Sequence, residues 1–424
     1  MKIILNNIGQ NHFLLVLCNK LLDVEGVYSC LMFAYAQKSA DSCVILGLAN
    51  CLLSQKTEPG SRMHTESPHL LQAQLATPPP GALEKLPKWL ICIPLVLQWI
   101  WLALRYRSIT LPTAANPRIT AGGLVGEGKL EYFDAMGAIA RAATARHVGL
   151  RNLRHCSAAE LSAVLAGAGL VFPLVAKPDL GLCGHGVRKL DSMTALRDYA
   201  ELYPDGETVV LQEYLSDAGE AGIFYARDPV SGAGRLIGLA LRYYPRVVGD
   251  GVSTLEQLIG NDGRAARVLD SPAHASGLEL QTVPAAGSEV RLSTIGSLRV
   301  GGLYRDGAAL ISVELSAAID AIARDMPEFH FGRFDVRFRS APELSAGRGF
   351  SIMEVNGAGA EAIQAWDPNV RLVDGFRMIF AKQRLLFAIG AANRRRGVRP
   401  IGPLALVRLN WRQNGLIDRY PSSN

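Results

Sequence analysis

The apolar and polar positions change character at about residue 110. Beyond it, short apolar runs alternate with stretches of helical spacing. The runs at residues 170–176, 208–215, 221–226 and 235–244 predict strands. Residues 192–203 read as a helix, and Leu315, Ala318, Ile319, Ile322 and Ala323 recur at helical spacing. Residues 370–392 predict a long closing helix. Ser253-Thr-Leu-Glu256 reads as a capping box that opens a short helix. Strands and helices are mixed along the chain, which predicts an α+β fold.

Before residue 110 the pattern is different. Residues 89–104 form the most apolar run and carry no charge, with Lys88 before them and Arg105, Tyr106 and Arg107 after. The run is shorter than the ~20 residues a spanning helix needs, and it contains Pro94. Trp89, Trp99, Trp101 and the flanking cations suit a helix lying in a membrane interface. A helix buried against the main domain, or at a contact between two copies, suits the run equally. Pro68, Pro78, Pro79, Pro80 and Gly81 mark a linker upstream. Residues 1–62 show no clear periodicity, and Asn6, Asn7, Gln10 and Asn11 make the start a poor signal peptide. The expected division is an unassigned extension at 1–62, a linker with the Trp-rich helix at 63–110, one main domain at 111–397 and a tail at 398–424.

Composition narrows the class. Of 424 residues, 49% are hydrophobic and 19% charged, enough apolar material for a packed core. A net charge of +6 suits anionic ligands such as nucleotides, or a membrane surface. No repeated aromatic-plus-basic pattern points to nucleic acid. The Arg394, Arg395, Arg396 and Arg399 cluster reads as a solvated tail face. Seven cysteines, with no CxxC pair and no zinc-type spacing, read as free thiols in a reducing cytoplasm.

Three stretches carry candidate chemistry. In Gly332-Arg-Phe-Asp-Val-Arg-Phe-Arg339, alternation puts Phe334, Val336 and Phe338 on one strand face and Arg333, Asp335, Arg337 and Arg339 on the other. A solvated charged face is the plain reading. The next strand, Phe350-Ser-Ile-Met-Glu-Val-Asn356, places Glu354 and Asn356 on one face. Two carboxylates and an amide are hard oxygen donors of the kind magnesium prefers. Gly357, Ala358 and Gly359 follow, small enough for backbone to approach a ligand.

Upstream, Lys177 ends a strand and a loop with Gly181, Gly184 and Gly186 follows. Free backbone N–H groups cradle phosphate oxygens and a lysine supplies a point charge, although a hairpin turn gives the same pattern. Neither a P-loop nor a Rossmann fingerprint is present. His185 in this loop reads as solvated. In Leu211-Gln-Glu-Tyr-Leu215, followed by Glu220, an extended segment could read adenine and a carboxylate the ribose; a buried strand is the plainer reading.

In this order, the set resembles the ATP-grasp superfamily over about residues 120–385, nearest the branch with D-alanine–D-alanine ligase. Residues 245–259 are similar to a segment of cyanophycin synthetase and related peptide ligases. The resemblance implies two α+β subdomains clasping ATP, with an atypical N-terminal region. It implies magnesium ligands at Asp335, Glu354 and Asn356, holding two Mg2+ or Mn2+ ions. It assigns Lys177 and the loop glycines to the ATP phosphates, Gln212, Glu213, Tyr214 and Leu215 to adenine, Glu220 to ribose, and Arg333 to charge developing on an acyl group. Lys129, in Gly126-Glu-Gly-Lys129, is similar to an earlier nucleotide lysine; an exposed helix lysine is the other reading.

The implied activity is an ATP-dependent carboxylate–amine ligase acting on small molecules through an acyl phosphate. The alternatives are a kinase of the same fold, or a membrane-associated protein that binds ATP without catalysis. Two departures concern the substrate. Residues 1–110 do not read as the family's N-terminal α/β domain, and the polar loop at 340–349 is longer than its usual hairpin. The expected place is the cytoplasm, with peripheral contact to the inner membrane face through residues 89–104, or a homodimer through the same segment.

Overall fold

The computed structural model describes residues 78–182, 184–269, 278–293 and 296–423. The extension at 1–62, most of the linker and Cys183 lie outside them.

Helix α1 (Lys88–Tyr106) is the Trp-rich run. Ile91, Leu95, Trp99 and Leu102 recur every three or four residues and form one buried row. Trp99 meets Phe387 edge-on at 4.9 Å between ring centroids, and its indole N–H donates to the carbonyl of Ile109 at 3.1 Å. The helix is long and apolar enough to cross a membrane by length and composition, yet this row is packed against the body.

The chain then runs through a loop pinned by Asn116, which is 0% exposed. Its amide donates to the carbonyls of Gly122 and Phe331 and accepts from the backbone N–H groups of His330 and Phe331. Gly122 and Gly123 adopt positive φ. Their carbonyls accept from Ala358 at 3.1 Å and Gly359 at 2.6 Å. A Cβ on Gly357 would lie 2.7 Å from the Gly122 oxygen. Gly357 therefore admits this loop, not a ligand as expected. Helix α2 (Lys129–Asp134) follows.

The first lobe is a four-stranded antiparallel sheet of β1 (His147–Arg151), β2 (Leu174–Pro178), β3 (Arg188–Leu190) and β4 (Thr208–Glu213), in the order β1-β4-β2-β3. Helices α3 (Ala158–Gly167) and α4 (Met193–Leu202) cover one face, joining Leu161, Leu196 and Tyr199 to Leu174, Val209 and Leu211. By alternation, Val210 and Gln212 point the other way, toward the second lobe.

The second lobe is a five-stranded antiparallel sheet in the order β11-β10-β5-β6-β9. It comprises β5 (Gly219–Arg227), β6 (Gly234–Tyr243), β9 (Leu303–Asp306), β10 (Phe331–Phe338) and β11 (Phe350–Asn356). Between β6 and β9 a hairpin of β7 (Arg246–Val248) and β8 (Glu289–Arg291) packs with α5 (Leu255–Asn261). The cap of α5 is Thr254 with Gln257, one position later than the sequence suggests; Ser253 instead bonds Asp250. Ile223, Tyr225, Phe334 and Val336 face helix α6 (Val313–Arg324) across the largest core. The opposite face of this sheet carries the charged residues.

Helix α7 (Leu372–Arg395) lies under α1. Within the expected tail the chain forms α8 (Pro403–Ile417), whose buried row is Leu406, Asn410, Gln413 and Leu416. Half of that row is polar, so apolar periodicity alone does not reveal it.

Candidate active site

The two lobes face each other across a cleft of about 280 Å³. Lys129, Lys177, Gly181, Gly184, Gln212, Glu213, Tyr214, Leu215, Glu220, Arg333, Asp335, Glu354 and Asn356 all line it. Gly186 does not. It is buried with φ +73, and a Cβ there would lie 2.7 Å from Pro178 Cγ and 3.0 Å from Tyr420 Cβ.

Lys177 joins the lobes. It is next to last in β2, is 5% exposed, and donates to Gln212 Oε1 at 2.8 Å and to the Met353 carbonyl at 2.8 Å. That carbonyl is available because the β10–β11 register shifts between Asp335 and Val336, leaving Met353 as the extra residue of a bulge. Burial pulls the Lys177 ammonium down to about 8, and the nearby charge of Glu354 offsets only part of that.

The floor of the cleft is one face of the five-stranded sheet. Asp335 sits directly across from Glu354, and Arg333 across from Asn356. Asp335 is 2% exposed. Arg333 grips it as a fork, Nε at 2.5 Å and a terminal nitrogen at 2.8 Å, and the Asn356 amide is 3.2 Å away. Gly222 lies beside Asp335 on β5. A Cβ there would approach Arg333 Cδ to 2.9 Å and Asp335 Oδ1 to 3.2 Å, so glycine is what lets the fork lie flat on the sheet. Glu354 pairs with Lys129 at 3.4 Å. Burial pushes its carboxyl up, but Lys129, Lys177, Arg333 and Arg242 together outweigh this and hold it below the usual range. On the strand face expected to carry charge, Asp335 and Arg337 are buried and Arg333 is half-buried; Arg339, beyond the end of β10, is exposed. The solvated reading fails for the strand itself.

Glu220 lines the cleft but is largely buried and already engaged. Tyr244 donates to it, Arg242 lies at 3.2 Å and Arg337 at 3.6 Å. Arg242 and Tyr244 escaped sequence reading. Arg242 is next to last in β6 and Tyr244 lies just past its end, and Arg242 becomes significant only when the pairing of β5 with β6 brings it to Glu220. Glu127, Arg337 and Glu361 also line the cleft. A second cavity of about 40 Å³ lies between α1 and α7; Gly359 and Glu361 line both spaces. Lys382 lines the smaller one, where burial takes its ammonium down to about 8 against the opposing pull of Glu361. No motif marks Glu361 or Lys382.

The roof is the glycine loop, and the C-terminal segment holds it. Gln413 donates to the Gly181 carbonyl at 2.9 Å, Tyr420 to Leu180 at 2.8 Å and Ser423 to Gly184 at 2.6 Å.

The oxygens of Asp335, Glu354 and Asn356 are hard donors of the type magnesium prefers. In this arrangement Arg333 and the Asn356 amide nitrogen occupy the Asp335 carboxylate, so holding a cation there requires those contacts to open. Among the described residues no cluster of three His, Cys, Asp or Glu side chains forms.

No protein-family model and no curated protein matches the chain. Among solved structures, it has distant likenesses to several synthetases and ligases. A bifunctional glutathione synthetase from Pasteurella multocida is 16% identical, with a TM-score of 0.33, over 63% of this chain and 38% of that one. VanG D-Ala:D-Ser ligase from Enterococcus faecalis is 13% identical, with a TM-score of 0.35, over 63% and 64%. D-alanine–D-alanine ligase from Bacillus anthracis is 12% identical, with a TM-score of 0.36, over 66% and 71%. The chain thus spans well under half of the glutathione synthetase and just under two thirds of VanG. A likeness of this degree concerns the layout of the chain and carries nothing about its chemistry.

Proposed function

We propose that this protein is an ATP-dependent ligase that joins a small carboxylic acid to an amine through an acyl phosphate, with magnesium bound at Asp335, Glu354 and Asn356. The observation that carries the reading is the junction at Lys177. This buried ammonium lies at the foot of the glycine loop and bonds the backbone beside Glu354. Phosphate-type and metal-type groups therefore meet in one cleft.

A carboxylate is a poor electrophile. Its oxygen attacks the γ-phosphorus, the bond from that phosphorus to the β-bridging oxygen breaks, and ADP leaves. The amine then attacks the acyl carbon, phosphate departs, and the amine loses a proton. Catalysis of this kind consists mainly of positioning and charge neutralisation. Lys177 and Lys129 would neutralise the nucleotide phosphates, and the loop's backbone N–H groups would cradle them. Bound magnesium would draw charge from the phosphate oxygens. Arg333 is engaged with Asp335 in this arrangement, so facing an acyl oxygen requires that fork to open.

Hydroxylamine trapping tests the reaction. With ATP, magnesium and a panel of carboxylic acids, an acyl phosphate yields a hydroxamate. ADP formed without hydroxamate, from a phosphorylated hydroxyl, would replace the ligase with a kinase.

A further inference from the structure

The outer face of α1 is as apolar as its buried one. Trp89, Ile93, Leu97, Trp101 and Leu104 recur at spacings of three or four and are all exposed, Leu97 by 62% and Leu104 by 73%. Soluble surfaces rarely carry such a continuous row on one helix. The charge that flanks it in sequence has one sign. Lys85 and Lys88 precede the row and Arg105 and Arg107 follow it; no acidic residue lies between Lys85 and Arg107. The nearest acid, Glu84, is sequestered by Arg264 at 2.7 Å and Arg267 at 2.9 Å. Arg105 lies over the Trp101 ring at 5.4 Å, so a cation and an indole share one end of the row. Arg394, exposed on α7, donates to the Tyr106 carbonyl and adds another cation at that end.

We propose that this outer face docks the protein on an anionic lipid surface, with α1 lying in the membrane plane. Indoles and aliphatic side chains enter the acyl boundary while the flanking lysines and arginines meet the headgroups. The inner row stays in the protein core, so the helix lies on the bilayer and does not cross it. The docking does not depend on what the cleft catalyses. The charge pattern favours lipid over a second copy, because a two-fold contact through this face would bring cationic helix ends against one another or against an uncharged row.

The test is co-sedimentation of the full chain with vesicles, compared with the variant carrying both Leu97→Asp and Leu104→Asp. Wild type is expected to pellet with phosphatidylcholine–phosphatidylserine vesicles and much less with phosphatidylcholine alone. The variant is expected to stay in the supernatant while binding ATP and melting as wild type does, since both positions are exposed. A third chain, with Arg105→Glu and Arg107→Glu, should lose the preference for anionic vesicles. Three results would overturn the proposal. Wild type could ignore both vesicle types while light scattering reports a dimer that the leucine variant breaks, which assigns the face to a second copy. It could be monomeric and lipid-indifferent, which assigns the face to residues 1–77. Or the leucine variant could pellet as wild type does.

Discussion

Replacing Lys177 with methionine separates what this residue does for the fold from what it does for a ligand. An ammonium whose pKa falls from 10.5 to about 8 on folding costs the folded state roughly 3 kcal/mol at pH 7. Methionine removes that cost and keeps most of the volume. It also removes the donor to Gln212 and Met353, but the Gln212 amide still lies 3.3 Å from the Met353 carbonyl. The two lost bonds come from a charged donor and are worth about 1.5–3 kcal/mol each. The balance runs from near zero to modestly destabilising. A charge-assisted bond to phosphate is worth about 1.5–3 kcal/mol, so ATP binding should weaken roughly ten- to hundred-fold. Denaturant titration at several pH values, with calorimetric titration of ATP, reads both effects. The sign is set by linkage: the folded pKa lies below the unfolded one, so the unfolded state binds more protons between about pH 8 and pH 10.5. Wild-type stability should therefore gain on the variant's as pH rises through that window. A variant several kcal/mol less stable at pH 7, yet binding ATP normally, would mean that Lys177 is a structural strut.

Glu354→Gln should abolish ADP formation with the far-ultraviolet spectrum unchanged. Because the lysines and arginines around Glu354 hold its carboxyl below the usual range, the charge it contributes persists as pH falls and is lost only below ordinary carboxylate titration; the acid limb of the wild-type rate profile should lie correspondingly low. Gly222→Ala puts a Cβ 2.9 Å from Arg333 Cδ, an overpacking worth about 1–3 kcal/mol. Thermal melting should register a modest loss, while the displaced Arg333–Asp335 fork cuts turnover roughly a hundred-fold. Tyr420→Phe removes one bond to the glycine loop, worth about 1 kcal/mol; KM for ATP should rise several-fold with kcat little changed.

The charged face of the cleft was legible because a strand's period of two is strict. Once Phe334, Val336 and Phe338 face the core, Arg333, Asp335 and Arg337 must share the other side, and Glu354 with Asn356 follows the same rule. Lys177 was legible as the end of an apolar run before glycines. What escaped depends on register or on contacts distant in sequence. The Met353 bulge has no sequence mark. Arg242 and Tyr244 matter only through their contacts with Glu220, more than twenty positions away. In sequence Gly357 offers room for a ligand, because the loop that fills that room, at Gly122 and Gly123, lies more than two hundred positions away. The C-terminal helix hid behind Asn410 and Gln413, polar residues at positions that core periodicity reserves for apolar ones.

The central claim is that this cleft binds ATP together with magnesium. Calorimetric titration of ATP into the full chain, with and without magnesium, tests it most directly, using Asp335→Asn as the partner measurement. The account predicts one saturable ATP site per chain whose affinity rises with magnesium, and a variant that loses the magnesium-dependent part while keeping its fold. A folded wild-type protein with no heat of ATP binding, or a magnesium effect that Asp335→Asn leaves intact, would contradict it.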